Sequence, residues 1–171
     1  MFYKSFLFFV LLFFSSVYAK EPLIARLQHI YSNSTLRFQV EQTQFVCKTY
    51  GVVSLDELLE RSTSGSNCKK AIETFYKRNE NLRYFAFNHL FEHQMYHLSL
   101  KKQNRCLVYA QGEYTYSEML LESGLGFMQN NFKDKEWKYS FTKAEKNAKI
   151  AKKGVWNTTL FSKCIKEYYM Q

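Results

Sequence analysis

Three strand-like segments in close succession, followed by a change to helical spacing, constrain the fold more than any other feature. Apolar, β-branched and aromatic side chains dominate residues 23–31, 35–41 and 45–53. The second segment alternates between apolar and polar side chains, as a half-buried strand does. Residues 32–34, between the first two segments, are the small polar types that favour a turn. The pattern predicts an antiparallel meander of three strands.

Helical spacing begins at Ser54. Ser54 and Glu57 stand at the interval of a capping box, in which each side chain bonds the backbone amide of the other. The segments that follow are a helix at 68–92 with a break at 79–81, strands at 95–100 and 105–110, a helix that starts at Thr115 or Tyr116 and ends at Glu122, and a helix at 140–153. This order predicts an α+β fold with a five-stranded OB-type β-barrel and about three flanking helices.

The first nineteen residues resemble an export signal. Lys4 precedes an unbroken apolar run at 6–14. Val17 and Ala19 then provide the small residues at positions −3 and −1 that signal peptidase recognises. We expect 1–19 to be a signal peptide and 20–171 to form one domain; the alternative is an uncleaved N-terminal anchor. With the signal removed, no stable membrane span is expected.

Four cysteines lie beyond the predicted signal, at Cys47, Cys68, Cys106 and Cys164. An even number in an exported chain predicts two disulfides, whose three connectivities remain open. Their spacing does not suit a zinc site. The chain is rich in Lys, Asn, Phe and Tyr and has one proline, as a product of an AT-rich genome would. We therefore expect an exported bacterial protein, periplasmic or secreted.

The formal net charge of +9 favours an anionic partner, whether nucleic acid, lipid head groups or an acidic protein. The alternative is a solvated basic surface without a dedicated ligand. The lysine-rich segment 143–153 is open to both interpretations. Aromatic residues crowd 84–96, where they are either stacking platforms for bases, part of the core, or an interface with another protein.

Residues 107–127 and 144–156 are similar to two elements of the staphylococcal nuclease (thermonuclease) family. The first resembles its strand, glycine turn and helix followed by a Gly-Leu-Ala element. The second resembles its closing helix, which ends in a glycine and a tryptophan. The resemblance covers most of 23–156, and residues 157–171, without a counterpart, form a short C-terminal extension. It implies an OB-type barrel and an ancestry in Ca²⁺-dependent phosphodiesterases.

The catalytic signatures of that family fall on two segments of this chain. Residues 32–35 lie over its Asp-Gly-Asp-Thr turn and place Ser34 where the second aspartate would bind metal. Residues 48–56 lie over its Arg-Leu-x-Gly-Ile-Asp-x-Pro-Glu motif and place Val53 at a metal-binding aspartate. Calcium takes six to eight oxygen ligands, many of them carboxylates. The substitutions predict no metal ligands, and Ca²⁺ would be a cofactor only if the chain were an active nuclease.

Three residues are the candidate remnants of the catalytic site. In the resemblance, Lys48 stands for an arginine, Asp56 for the glutamate that helps to activate water, and Arg105 for a second arginine. Each has a structural alternative: Lys48 as a solvent-facing strand residue, Asp56 as a favourable charge in the first turn of a helix, and Arg105 as a member of a cross-strand ion pair.

Three functions follow from the sequence. The first is an exported domain with an impaired catalytic site that binds nucleic acid or protein. The second is an active nuclease for DNA or RNA whose ligands lie at other positions. The third is a structural component of a cell-envelope complex that contacts an envelope protein. Metal-dependent cleavage, salt-sensitive binding without cleavage, and a stable protein partner distinguish them.

Overall fold

The computed structural model describes residues 22–157 and 160–165. The predicted signal peptide at 1–19 and most of the predicted C-terminal extension lie outside the described residues. The strands are β1 Leu23–Ile30, β2 Thr35–Val40, β3 Thr43–Thr49, β4 Val52–Ser54, β5 Met95–Lys101, β6 Arg105–Gln111, β7 Tyr114–Thr115 and β8 Gly126–Met128. The α-helices are α1 Leu55–Arg61, α2 Asn67–Arg78, α3 Glu80–Arg83, α4 Phe85–His89, α5 Tyr116–Glu122 and α6 Lys135–Ile150.

Five strands close into a barrel in the order β3-β2-β1-β5-β6. The first three form the predicted antiparallel meander. Closure is made by a short parallel pairing of β3 with β6, in which Lys48 faces Arg105 and Thr49 faces Cys106. The predicted α+β class with an OB-type barrel and flanking helices is thus confirmed.

Alternating side chains of the strands fill the barrel, and the helices extend the same core. Leu27, Leu36, Phe38, Leu98 and Leu107 are buried. Helices α5 and α6 pack against each other and add Leu120 and Phe141 to this cluster. The buried face of the lysine-rich helix α6 consists of Phe141 and the small residues Ala144 and Ala148.

The predicted third strand at 45–53 is interrupted at Gly51. Gly51 has a φ of +74°, and a Cβ there would lie 2.6 Å from Cε2 of Phe141. The chain therefore turns between β3 and β4, and β4 pairs with β8 instead of continuing the barrel. The turn depends on glycine for both its backbone conformation and its packing.

The predicted helix at 68–92 is three helices, broken at Asn79 and at Tyr84. The Asn79 side-chain amide donates to the Phe75 carbonyl at 2.9 Å, and its backbone N–H donates to the same oxygen. This local competition for a helical carbonyl ends α2. Helix α6 begins at Lys135 and not at 140, because the Asp134 carboxylate accepts a hydrogen bond from the Glu136 amide and caps it.

Two disulfides connect the four cysteines, Cys47 with Cys106 and Cys68 with Cys164. The first links β3 to β6 beside the parallel pairing that closes the barrel. The second ties α2 to the segment at 160–165. Two disulfides agree with the expectation of an exported protein. Within the described residues, none of the helices is long and apolar enough to cross a membrane.

Candidate functional site

The corner formed by residues 48–57 is held together by Arg105. Its Nη1 donates to the carbonyl oxygens of Thr49 at 2.8 Å and Val52 at 3.3 Å, which flank the turn at Gly51. Its Nη2 donates to Oε1 of Glu57 at 2.7 Å. Arg105 is only 9 % exposed. The guanidinium is therefore committed to this corner, and its ion-pair partner lies on α1 and not on a neighbouring strand.

Glu57 is almost fully buried, at 1 % exposed, and also receives Nη2 of Arg61 at 2.5 Å. Half of the predicted capping box is present, because the Ser54 hydroxyl accepts a hydrogen bond from the Glu57 amide at 3.0 Å. The other half is not, because the Glu57 carboxylate bonds to the two arginines and does not reach back to the cap. Charge-assisted bonds to a guanidinium are stronger than a bond to a neutral amide.

Lys48 and Arg105 lie opposite each other across the barrel closure, but their side chains bind different carboxylates. Nζ of Lys48 is 2.7 Å from Oε2 of Glu60, and both side chains are well exposed. The structure thus places Lys48 on an accessible surface and Arg105 inside. A catalytic role for Lys48, Asp56 or Arg105 stays a prediction.

Asp56 lies in the first turn of α1. Its Oδ2 accepts a hydrogen bond from the backbone N–H of Asn33 at 2.7 Å. Burial raises the pKa of Asp56, while the nearby Tyr76 hydroxyl and the Asn33 amide oppose that rise. Asp56 therefore connects α1 to the β1–β2 turn.

Asn33 fixes the β1–β2 turn to the helices that follow α2. Its Nδ2 donates to the carbonyl oxygens of Leu82 at 3.0 Å and Arg83 at 3.2 Å, and its Oδ1 accepts from the amide of Ala86 at 2.8 Å. The residue is buried. The local sequence around Asn33 predicts only a polar turn, because nothing in it separates a bridging asparagine from an exposed one.

The β1–β2 turn and helices α1, α2, α3 and α4 line a cavity of about 330 Å³, here called the corner pocket. Its aromatic rim consists of Tyr31, Tyr84 and Phe87, which are 45 %, 45 % and 48 % exposed. Its floor contains Asp56 and Tyr76. The Tyr76 hydroxyl is buried beside Asp56 and Asn33 and makes no hydrogen bond of normal geometry. Of the aromatic residues between 84 and 96 singled out in the sequence, Phe85 and Tyr96 belong to the core.

Two arginines accompany the aromatic rim. The Arg37 guanidinium carbon lies 5.0 Å from the centroid of the Tyr31 ring, and that of Arg83 lies 5.9 Å from the Tyr84 ring. Arg83, from α3, lines the pocket, and Arg37, from β2, lies against its rim residue Tyr31, so two positive charges accompany the aromatic rim. Exposed rings beside guanidinium groups suit a ligand that combines flat rings with negative charge.

Ser34 and Val53, at the two positions where the resemblance alone would place metal ligands, do not fit Ca²⁺. Val53 is a fully buried hydrocarbon in β4, and Ser34 is buried with a hydroxyl that makes no hydrogen bond. Neither supplies a carboxylate, and the Asp56 carboxylate is engaged by Asn33. In residues 22–157 and 160–165, no group of three or more His, Cys, Asp or Glu side chains is arranged to hold a metal ion. Hard cations of this kind need several oxygen ligands with negative charge.

Comparison of the sequence with models of known protein families gives no match, and comparison with curated proteins gives none.

Proposed function

We propose that this chain is an exported, non-catalytic protein of the staphylococcal-nuclease-like type and that its corner pocket binds single-stranded nucleic acid. The observation that carries the proposal is the pairing of exposed rings with guanidinium groups around one cavity: Tyr31 with Arg37, and Tyr84 with Arg83. Such surfaces bind single strands by stacking bases on aromatic rings and attracting phosphates to cations.

The net charge of +9 supports an anionic ligand. So does the position of the pocket beside the β1–β2 turn, because OB-type barrels bind oligonucleotides at such loops. Loss of catalysis is supported by the state of the three remnants: Lys48 is paired with Glu60, Arg105 with Glu57, and Asp56 with the Asn33 amide. The arginine that would stabilise a phosphate in the transition state instead holds the corner.

The test uses the mature protein and a fluorescein-labelled single-stranded oligonucleotide, followed by fluorescence anisotropy at increasing salt. We expect binding that weakens as salt rises and no cleavage with Ca²⁺ or with EDTA. Rapid cleavage that EDTA abolishes would overturn the non-catalytic assignment. Absence of binding at low salt, or an affinity that does not change with salt concentration, would overturn the nucleic-acid assignment.

A matched pair of variants locates the site. Tyr84→Ala removes a rim ring and should weaken binding by about 1–3 kcal/mol, the usual contribution of one stacked base. Tyr139→Ala removes a ring that is even more exposed but lies on α6, away from the corner pocket. It should leave the affinity unchanged, and an equal loss in both variants would contradict the assignment to this pocket.

A further inference from the structure

The floor of the corner pocket has a defined hydrogen-bonding pattern. Asp56 is an acceptor with two oxygens and about four acceptor positions, of which the Asn33 amide occupies one. Tyr76 is a donor beside the Asp56 carboxylate that makes no hydrogen bond of normal geometry, although its side chain is only 4 % exposed. A buried hydroxyl whose hydrogen bond is poorly formed costs free energy, and a ligand that accepts from it in good geometry would recover part of that cost. The floor therefore offers one donor beside a carboxylate.

The surroundings of this floor disfavour a negatively charged group and suit a flat one. Glu73 also lines the pocket, so two carboxylates disfavour a phosphate inside it. The phosphates of a strand would instead lie near Arg37 and Arg83 at the rim. The volume of about 330 Å³ is at the lower end of the range typical of small-molecule sites. A base can thus enter the pocket while the backbone of its strand stays outside.

We infer that the corner pocket selects guanine, with the carboxylate of Asp56 accepting from N1–H and the 2-amino group and the hydroxyl of Tyr76 donating to O6. This inference rests on the proposed function. Guanine is the one DNA base with two adjacent N–H donors beside a carbonyl on its Watson–Crick edge. Adenine and cytosine place a ring-nitrogen acceptor beside a single amino group, which would oppose the carboxylate. Thymine has one N–H between two carbonyls.

The Tyr76 hydroxyl stays a donor at neutral pH because burial, together with the nearby Asp56, raises its pKa well above the usual value. The Asp56 carboxylate is fixed in place by the Asn33 amide, so its free acceptor positions are oriented before a ligand arrives. Pre-organisation of this kind favours selectivity, because a wrong base leaves buried polar groups unpaired.

The experiment compares four labelled ten-nucleotide strands of thymidine, unaltered or with one central guanine, adenine or hypoxanthine. Hypoxanthine keeps N1–H and O6 but lacks the 2-amino group. We expect the guanine strand to bind about tenfold more tightly than the adenine strand, within the range of one bidentate base contact, with hypoxanthine between them. Equal affinities would overturn the inference and leave the proposed function intact, whereas absence of binding to all four strands would overturn both.

Two variants test the residues. Asp56→Asn should abolish the preference for guanine while the thymidine strand still binds, and Tyr76→Phe should reduce the preference without changing the packing volume. Glu113→Gln, which removes an exposed carboxylate in the β6–β7 turn, is the matched control and should keep the preference. Circular dichroism establishes that each variant is folded, and Tyr76→Phe tests the inference even if Asp56→Asn does not fold. A guanine preference that survives in both variants would overturn it.

Discussion

Nη2 of Arg105 lies 2.7 Å from Oε1 of Glu57, and this ion pair is buried between the start of β6 and α1. The same guanidinium bonds the two carbonyls on either side of the turn at Gly51. One arginine thus joins the barrel closure, the turn and the first helix. The corner formed by residues 48–57 is therefore stabilised by a buried cation of the protein itself.

Breaking this pair should destabilise the protein strongly. Arg105→Met leaves the Glu57 carboxylate buried without its main partner, and removal of one member of a buried pair typically costs about 3–5 kcal/mol. Denaturant unfolding monitored by tryptophan fluorescence measures the change. Lys48→Met breaks the exposed pair with Glu60 and should cost less than about 1 kcal/mol. Similar losses in the two variants would contradict a special role for Arg105.

Asn33→Ala should loosen the helices over the corner pocket. The substitution removes two bonds to carbonyls and leaves the buried amide of Ala86 without an acceptor, a loss of about 1–3 kcal/mol. Hydrogen exchange should accelerate at Ala86 more than in the barrel strands. Asn130→Ala, at an exposed position, is the control and should stay within about 0.5 kcal/mol of the parent.

Calcium should not stabilise the protein. An ion present at a hundred times its dissociation constant would add about 2.7 kcal/mol to the free energy of unfolding and raise the midpoint by several degrees. Because Ser34 and Val53 offer no carboxylate, we expect thermal unfolding to be the same in millimolar CaCl₂ and in EDTA. A reproducible rise in the midpoint with calcium would show that the chain holds the ion in another way.

Asp56 should make stability depend on pH in the direction opposite to a salt-bridged carboxylate. Burial raises the pKa of Asp56 in the folded protein above its ordinary value of 3.8. At a pH between 3.8 and the raised pKa, the folded protein therefore binds the proton more tightly than the unfolded chain does. Stability contributed by protonated Asp56 is present below pH 3.8 and is lost as the pH rises through the raised pKa. Tyr76, Asn33, Glu60 and Arg83 all influence this group.

The variant Asp56→Asn cannot ionise but keeps an oxygen for the Asn33 amide. Relative to the parent, it should therefore become more stable as the pH rises from about 4 to 7. Urea unfolding at several pH values gives the difference between the two proteins. A difference that stays constant across this interval would contradict the raised pKa of Asp56.

Loss of each disulfide should increase hydrogen exchange in a different part of the protein. They close loops with sequence separations of 59 and 96 residues, and removal of either typically costs about 2–5 kcal/mol. Replacing Cys47 and Cys106 by alanine should also speed hydrogen exchange of the Tyr50 amide, which bonds the Cys106 carbonyl across the barrel closure. Replacing Cys68 and Cys164 should leave that amide protected. Equal effects on the Tyr50 amide would argue against a local role for the first disulfide.

Local patterns were sufficient for the strands and for most helices. Alternation placed Leu36 and Phe38 inside the barrel, and the helix that starts after Thr115 has the expected bounds. Local sequence patterns gave wrong predictions where a side chain can form a hydrogen bond with either of two partners. Asn79 competes for a helical carbonyl and ends α2, and Glu57 bonds arginines in place of its cap. Both choices depend on what surrounds the residue after folding.

The sequence by itself determined the barrel class, the number of cysteines and the absence of carboxylates at Ser34 and Val53, because alternation and residue chemistry are local properties. Only the tertiary structure decided which cysteines pair, that Arg105 is buried against Glu57, and that Asn33 joins a turn to helices about fifty positions away. The corner pocket is such a product as well. Its rim and floor come from the β1–β2 turn, α1, α2, α3 and α4. Packing and buried hydrogen bonds bring these elements together, and no single segment encodes them.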